Sequence, residues 1–180
     1  VGQAIRLGMS GIGIADRNTV AGVVRAHVAL KEARAQAQEA GLPDIAFKLA
    51  VGARLVFDDG TPDIITYPAT RFGWGRLTRL LTTGNLRAKK GDCSLQLGDL
   101  LTHCEDLLLI VMAGDEHRGA LAQIAAACAG RVWLGATMLR GGADHRRLAR
   151  LMALARHTGI PLVAANDALY ATPGQRQLHD

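Results

Sequence analysis

Four residues could do chemistry if the fold brings them together, Asp16, Arg17, Arg54 and Asp167, with Leu169 standing beside the last of them. Each follows a short apolar run that reads as a strand, and in α/β proteins reactive groups gather at the carboxyl ends of strands. The apolar run Ile12 to Ala15 halts at Asp16-Arg17. Asn18 and Thr19 follow with side-chain oxygens suited to cap a helix starting near Val20. Arg54 comes two residues after Gly52, and Asn166-Asp167 closes the run Pro161 to Ala165. If the sheet is barrel-like, two acids and two arginines converge at one mouth.

Histidine is missing from all of these positions. A bi- or trinuclear metal site needs several imidazoles and carboxylates to offset the cations. His27, His103, His117, His145, His157 and His179 are scattered, and none forms HxH or HExxH. Seating Arg17 and Arg54 beside a cation would cost several kcal/mol at short range, even at an effective dielectric of about 20. We therefore expect no metal and no catalytic residue here. Arg17 or Arg54 is expected instead to pair with Asp167 or Asp16 through a two-pronged hydrogen bond, guanidinium replacing metal as counter-charge. Two other readings stand beside this one. In one, both arginines face solvent as an ordinary charged rim; in the other, they hold the anion of a small ligand.

A second chemical feature is the stretch Arg71 to Lys90. Arg71, Arg76, Arg79, Arg87, Lys89 and Lys90 are basic, no acid falls within it, and Phe72 and Trp74 lie alongside. It is a candidate contact for a phosphate backbone with an aromatic to stack on a base. The competing reading is a solvated helix face whose charges meet acidic neighbours in other domains, with Trp74 in the core.

The elements that must position these groups alternate. Val1 to Leu7 reads as a helix end closed by Gly8. Val20 to Ala40 reads as a helix with Val20, Val23, Val24, His27, Leu30 and Lys31 on one face. Phe47 to Val51 is a strand broken by Gly52, and Arg54 to Pro68 is a hairpin around the turn Asp58-Asp59-Gly60, returning along Asp63 to Tyr67. A helix with Leu77, Leu80 and Leu81 inward follows, then a short helix Leu97 to Cys104 with Asp99 at its start. Strands at Leu107–Met112, Val132–Thr137 and Pro161–Ala165 alternate with helices at Gly119–Ala129 and Asp144–His157. This alternation predicts a mainly parallel sheet, either a barrel or an open doubly wound sheet.

Composition bounds the class. The chain has 180 residues, 49% of them apolar and only 4% aromatic, so the core must be aliphatic. Lys and Arg exceed Asp and Glu by 21 to 16, a net charge of +5, which suits an anionic partner without requiring one. Cys93, Cys104 and Cys128 are widely spaced with no CxxC, as expected of reduced thiols in a cytoplasmic protein. The longest apolar run, Leu107 to Ala113, is too short to span a bilayer, so no membrane is expected as a partner. Both ends read as the middle of something, and a fragment of a longer chain is expected.

The residues resemble a known family. The segment from Gly11 to His27 is similar to the first strand-turn-helix of the PHP (polymerase and histidinol phosphatase) domain in the error-prone branch of bacterial DNA polymerase III alpha subunits. Val51 to Gly60, Tyr67 to Gly84 with Lys90-Gly91, and Pro161 to Tyr170 agree in the same order. The resemblance implies one PHP-like domain over residues 1–180: a distorted, seven-stranded β/α barrel of TIM-like type whose opening His-x-His strand lies before Val1. In metal-binding members the first turn carries Asp-His, where this chain has Asp16-Arg17. The Gly-x-Glu turn becomes Gly52-Ala53-Arg54, and the late Asp-x-His becomes Asp167-Ala168-Leu169. The implied function is a non-catalytic scaffold within an error-prone DNA-directed polymerase serving translesion synthesis and DNA repair. Magnesium would be the cofactor of the parent's polymerase site. Its partners would be the remaining polymerase domains, DNA through the parent, and other DNA-damage-response proteins. The competing enzyme reading is a metal-dependent phosphoesterase or 3′–5′ exonuclease.

Overall fold

The computed structural model describes residues 1–138, 140–170, 172 and 174. The expectations for His179 and for the last residues fall outside them. A short helix α1 (Gly2–Arg6) precedes strand β1 (Gly11–Arg17) and helix α2 (Gly22–Glu39). Strands β2 (Lys48–Leu55) and β3 (Ile64–Pro68) form the hairpin, followed by helices α3 (Arg71–Arg87) and α4 (Leu97–His103). Then come β4 (Leu107–Val111), a 3-10 turn (Asp115–His117), α5 (Arg118–Ala127), β5 (Val132–Ala136), α6 (Asp144–Thr158) and β6 (Leu162–Ala164).

The sheet runs in strict chain order, β1-β2-β3-β4-β5-β6. Pairing is parallel for β1·β2, β4·β5 and β5·β6, and antiparallel on both sides of β3. Doubly wound sheets reverse their strand order at a switch point. A sequential order does not, so of the two architectures left open by the sequence this is the barrel-like winding. Six strands are present among the described residues.

Alternation along the strands divides the sheet into two faces. Ala53, Leu55, Ile64, Leu107, Leu109, Val111 and Leu134 are buried on the face covered by helices, against Leu77, Leu80, Leu100, Leu121, Ile124 and Leu154. A smaller cluster of Ala4, Leu30 and Phe47 seats α1 and α2 on the first strands. The other face carries Arg17, Arg54, Ile65, Tyr67, Ile110 and Trp133, fixed by the registers Arg17↔Arg54, Arg54↔Ile65, Ile65↔Ile110 and Ile110↔Trp133.

Two local expectations are corrected. Gly52 does not break its strand, because β2 continues through it. A Cβ there would lie 2.0 Å from the Thr66 carbonyl oxygen and 2.7 Å from the Tyr67 ring, so glycine lets the strands and that ring close up. The inward face of α2 is only in part the expected one: Leu30 is buried and Val23 half-buried, but Ala26 and Ala37 are buried beside them while Val24 is 67% exposed. Small alanines let the helix sit close to the sheet, and Val24 and Val28 are left outside.

Candidate functional site

The carboxyl ends of β1, β2, β4, β5 and β6 lie at one end of the sheet, and the site is built there. Asn18 sets the geometry of the first turn. It adopts φ +50°, a left-handed conformation that asparagine tolerates better than most residues. Its backbone N–H donates to Arg54 O at 2.9 Å. Its side chain accepts from Val56 N–H at 2.8 Å and donates to Val56 O at 3.0 Å. Asn18 thus straps the end of β2 and does not cap α2 as expected. That role goes to Asp16, whose Oδ2 accepts the Gly22 N–H at 2.9 Å, with Thr19 Oγ1 accepting from Ala21 N–H at 3.2 Å.

This follows from strand parity. Asp16 pairs in register with Ala53, whose side chain lies in the helix-covered core, whereas Arg17 pairs with Arg54 on the opposite face. Asp16 is therefore spent on the helix and takes no part in the mouth. Arg17 is exposed and forms no ion pair among the described residues. Leu169 is 61% exposed.

Arg54 does what the sequence suggested, and more. Its Nη1 donates to both oxygens of Asp167, each at 3.0 Å, and its Nε donates to Asp63 Oδ2 at 2.7 Å. All three side chains are about two-thirds or more shielded, at 27%, 27% and 32% exposure for Arg54, Asp167 and Asp63. Burial alone would lower the pKa of the guanidinium; the hydrogen bonds and charges of Asp63 and Asp167 outweigh it and raise the value. The anion reading loses support here, since Arg54 already carries two carboxylates.

Asp63 stands before a strand, not after one, and so falls outside the set of residues that follow strands in the sequence. β3 runs backwards, so the residue before it stands at the same mouth as the residues after β2 and β4. The hairpin turn Asp58-Asp59-Gly60 was legible in the sequence and implied this reversal. Asp63 O also accepts from Met112 N–H at 2.9 Å, which anchors the acid to the end of β4.

The Arg54–Asp167 contact has a geometric consequence. β2 and β6 are four strand spacings apart, about 19 Å in a flat sheet. Ala165 N–H still bonds Ala136 O at 2.9 Å, so only Asn166 separates the sheet from Asp167. Side chains stand roughly perpendicular to a sheet. The contact forms because the sheet curls into a half-barrel with Arg54 and Asp167 on its inner side.

Beside this clasp, at the ends of β4 and β5, lies a cleft of about 390 Å³ lined in part by Met112, Gly114, Glu116, Thr137, Arg147 and Arg150. Arg147 Nη2 donates to Thr137 O and, at 3.2 Å, to Asp144 Oδ1. No three His, Cys, Asp or Glu side chains among the described residues are placed to hold one ion together.

The basic stretch is sorted by its helix. Thr70 caps α3, its Oγ1 accepting Gly73 N–H at 3.1 Å. Arg76 donates to Glu105 Oε2 at 2.9 Å and stacks on Phe72 with its guanidinium carbon 4.9 Å from the ring centre. Arg87 grips Asp99 with two hydrogen bonds of 2.7 and 2.9 Å. Arg71, Arg79, Lys89 and Lys90 are exposed and form no ion pair among the described residues. The acids that meet Arg76 and Arg87 thus lie in this chain, and not in other domains as one of the two readings of the stretch expects. Trp74 is half-buried and lines a separate groove of about 440 Å³ with Val23, Leu30 and Phe47.

No helix among the described residues is long and apolar enough to cross a membrane. No family model matches the chain. Several named relatives do. The chain is 49% identical over 183 residues to error-prone DNA polymerase 1 of Rhizobium meliloti, covering 98% of this chain and 15% of the relative. It is 46% identical over 185 residues to the error-prone DNA polymerase of Brucella abortus, covering 100% and 16%. It is 42% identical over 178 residues to that of Caulobacter vibrioides, covering 97% and 15%. The chain spans about one-sixth of the length of these relatives. It is, over essentially its whole length, a homologue of one segment of the bacterial error-prone DNA polymerases.

Proposed function

We propose that this chain is a non-catalytic scaffold segment of an error-prone DNA-directed DNA polymerase, a single barrel of the PHP type with its metal chemistry replaced by an arginine clasp. The observation that carries the reading is Arg54 held between Asp63 and Asp167. A guanidinium at the mouth supplies the positive charge that cations would otherwise bring, and it occupies Asp167 together with Asp63. The donor set does not fit a metal cluster: Asp16 is bound to a helix N-terminus, Arg17 adds a further positive charge, and Leu169 offers no lone pair. No chemical step is therefore assigned to this mouth. Its work is mechanical, fixing the shape of the half-barrel against the rest of the polymerase.

In this reading nucleotide addition, with its magnesium, belongs to other domains of the longer chain, in the cytoplasm. Translesion synthesis during DNA repair is the parent's activity, and the neighbours of this segment are those domains and, through them, DNA and damage-response proteins. The supports are the relatives' names, the identity along the whole chain and the barrel-like winding.

Metal analysis of the purified chain, with a 3′–5′ exonuclease and phosphoesterase assay in manganese or zinc, tests the proposal. The expected result is substoichiometric metal and no turnover. Stoichiometric metal with turnover lost on Asp167→Asn would overturn it in favour of a metal-dependent phosphoesterase or exonuclease.

A further inference from the structure

We propose that the outer ridge of α3 and the turn after it bind the phosphate backbone of single-stranded DNA. The argument starts from how the helix distributes its charges. At about 100° per residue, the buried Gly73, Leu77, Leu80, Leu81 and Gly84 define the inward face. Arg76 and Arg87 fall on one flank, beside α4, and there each meets an acid of that neighbourhood, Glu105 or Asp99. Arg71 and Arg79 fall on the opposite, outward ridge. Lys89 and Lys90 extend it past the helix end, near Asp92, whose N–H bonds Lys89 O at 2.9 Å. The internal acids have neutralised the flank and left the ridge alone.

The ridge has the dimensions of a strand-tracking surface. Seventeen helical residues rise about 25 Å, long enough for several consecutive phosphates. Its cations are spaced along that length, which suits a linear polyanion better than a compact anion. Gly75 and Thr82 project no bulky group, so the ridge is low around Arg79, and Leu86 stands up only towards its far end.

An aromatic platform selects single strands. Phe72 is 55% exposed, with Arg76 against one face of its ring and Arg71 adjacent in sequence. Along the length of a strand, a base can turn its face to an exposed aromatic ring only where it is not already stacked inside a duplex. An acidic protein segment would also be drawn to the cations, but it offers a flat group to Phe72 only where it carries an aromatic residue, whereas every nucleotide presents a base. Leu86, 84% exposed on the same ridge, is the residue such a segment would use instead.

Fluorescence anisotropy of the 180-residue chain with a labelled oligothymidylate, and with duplex DNA of equal length, tests this between about 50 and 200 mM salt. Four neutralised phosphates on a single strand give a slope of log affinity against log salt near about −3. The variant Arg71→Gln/Arg79→Gln/Lys89→Gln/Lys90→Gln is expected to weaken binding at least about tenfold and to bring that slope towards zero. Phe72→Ala is expected to weaken binding of the single strand and leave the duplex unchanged. Should the fourfold variant fold poorly, Lys89→Gln/Lys90→Gln, which lies beyond the helix, is expected to halve the slope. Absence of binding at low salt, or binding indifferent to these substitutions, would overturn the proposal. Equal binding of polyglutamate, lost on Leu86→Ser, would assign the ridge to an acidic protein partner and likewise overturn it.

Discussion

Two glycines on neighbouring strands face the same tyrosine, and they differ in what a side chain would meet. A Cβ at Gly13 would come within 2.2 Å of the Tyr67 hydroxyl oxygen, the far end of a side chain that can swing. At Gly52 the nearest atom is the Thr66 carbonyl oxygen, part of a paired strand that cannot move alone. Gly52→Ala is therefore expected to cost about 3 kcal/mol, and Gly13→Ala clearly less, in urea melts of the two variants. The sequence showed both glycines but not their use. Gly52 looked like a strand breaker because its permissiveness in φ is visible in one dimension, while the ring that needs its missing Cβ comes from the next strand. Asp16 was misjudged for a related reason. Its type fitted a charged mouth, yet side-chain parity along β1 turns it to the helix face, and parity depends on a register the local sequence does not print.

At the scale of elements, α4 shows how charge is spent on docking. Asp99 accepts Gln96 N–H at 2.9 Å at the helix start and is gripped by Arg87 from α3. The Arg87 hydrogen bonds hold the Asp99 carboxyl below the ordinary aspartate range, against the opposing effect of burial, with the Gln96 N–H adding to the lowering. Asp59, from the hairpin turn, accepts Leu97 N–H at 2.7 Å; burial would raise its pKa, but that bond and those to Thr61 outweigh it and lower the value. The sign follows from linkage. A carboxyl lowered on folding stabilises the fold above its unfolded-state pKa, about 3.9, and that stabilisation is lost as pH falls through the lower folded-state value. Asp99→Asn is expected to cost about 1 kcal/mol at neutral pH and to flatten the acid limb below pH about 4, measured as Tm against pH. The helices themselves were largely legible, because Leu77, Leu80 and Leu81 and the Asp99 start signal repeat at helical spacing. What escaped was which cations the neighbouring helix would absorb, since Glu105 lies outside the stretch that carries Arg76 and contacts it only once α4 is docked.

For the whole molecule, the determinant is the clasp across the curled sheet. Arg54→Ala leaves two shielded acids facing each other, and Asp167→Ala leaves Arg54 with Asp63 alone. The coupling energy of the two in a double-mutant cycle is expected at about 1–2 kcal/mol, a charged two-pronged bond discounted for its partial exposure. Arg54→Lys is expected to recover little, because a lysine cannot donate in a planar fork to both acids. Values near zero by denaturant melts would reduce the clasp to a surface ion pair. The α/β class and a pairing of arginine with acid at the strand ends could be read ahead of the fold, because acids and arginines stood at successive strand ends; which arginine met which acid could not. The winding direction could not, since alternation of strands and helices suits open and curled sheets alike until the order of pairing is known.

That order has a further implication. Because every strand lies beside its predecessor, each can dock as it leaves the ribosome, using contacts of short sequence separation that form quickly. The bond from Arg54 to Asp167 spans 113 residues and is the exception. It must wait for β6 and Asp167, so the growing chain carries at its rim a guanidinium bound to Asp63 alone until that stretch is made, and a nascent chain stalled before it would be held open at that one point.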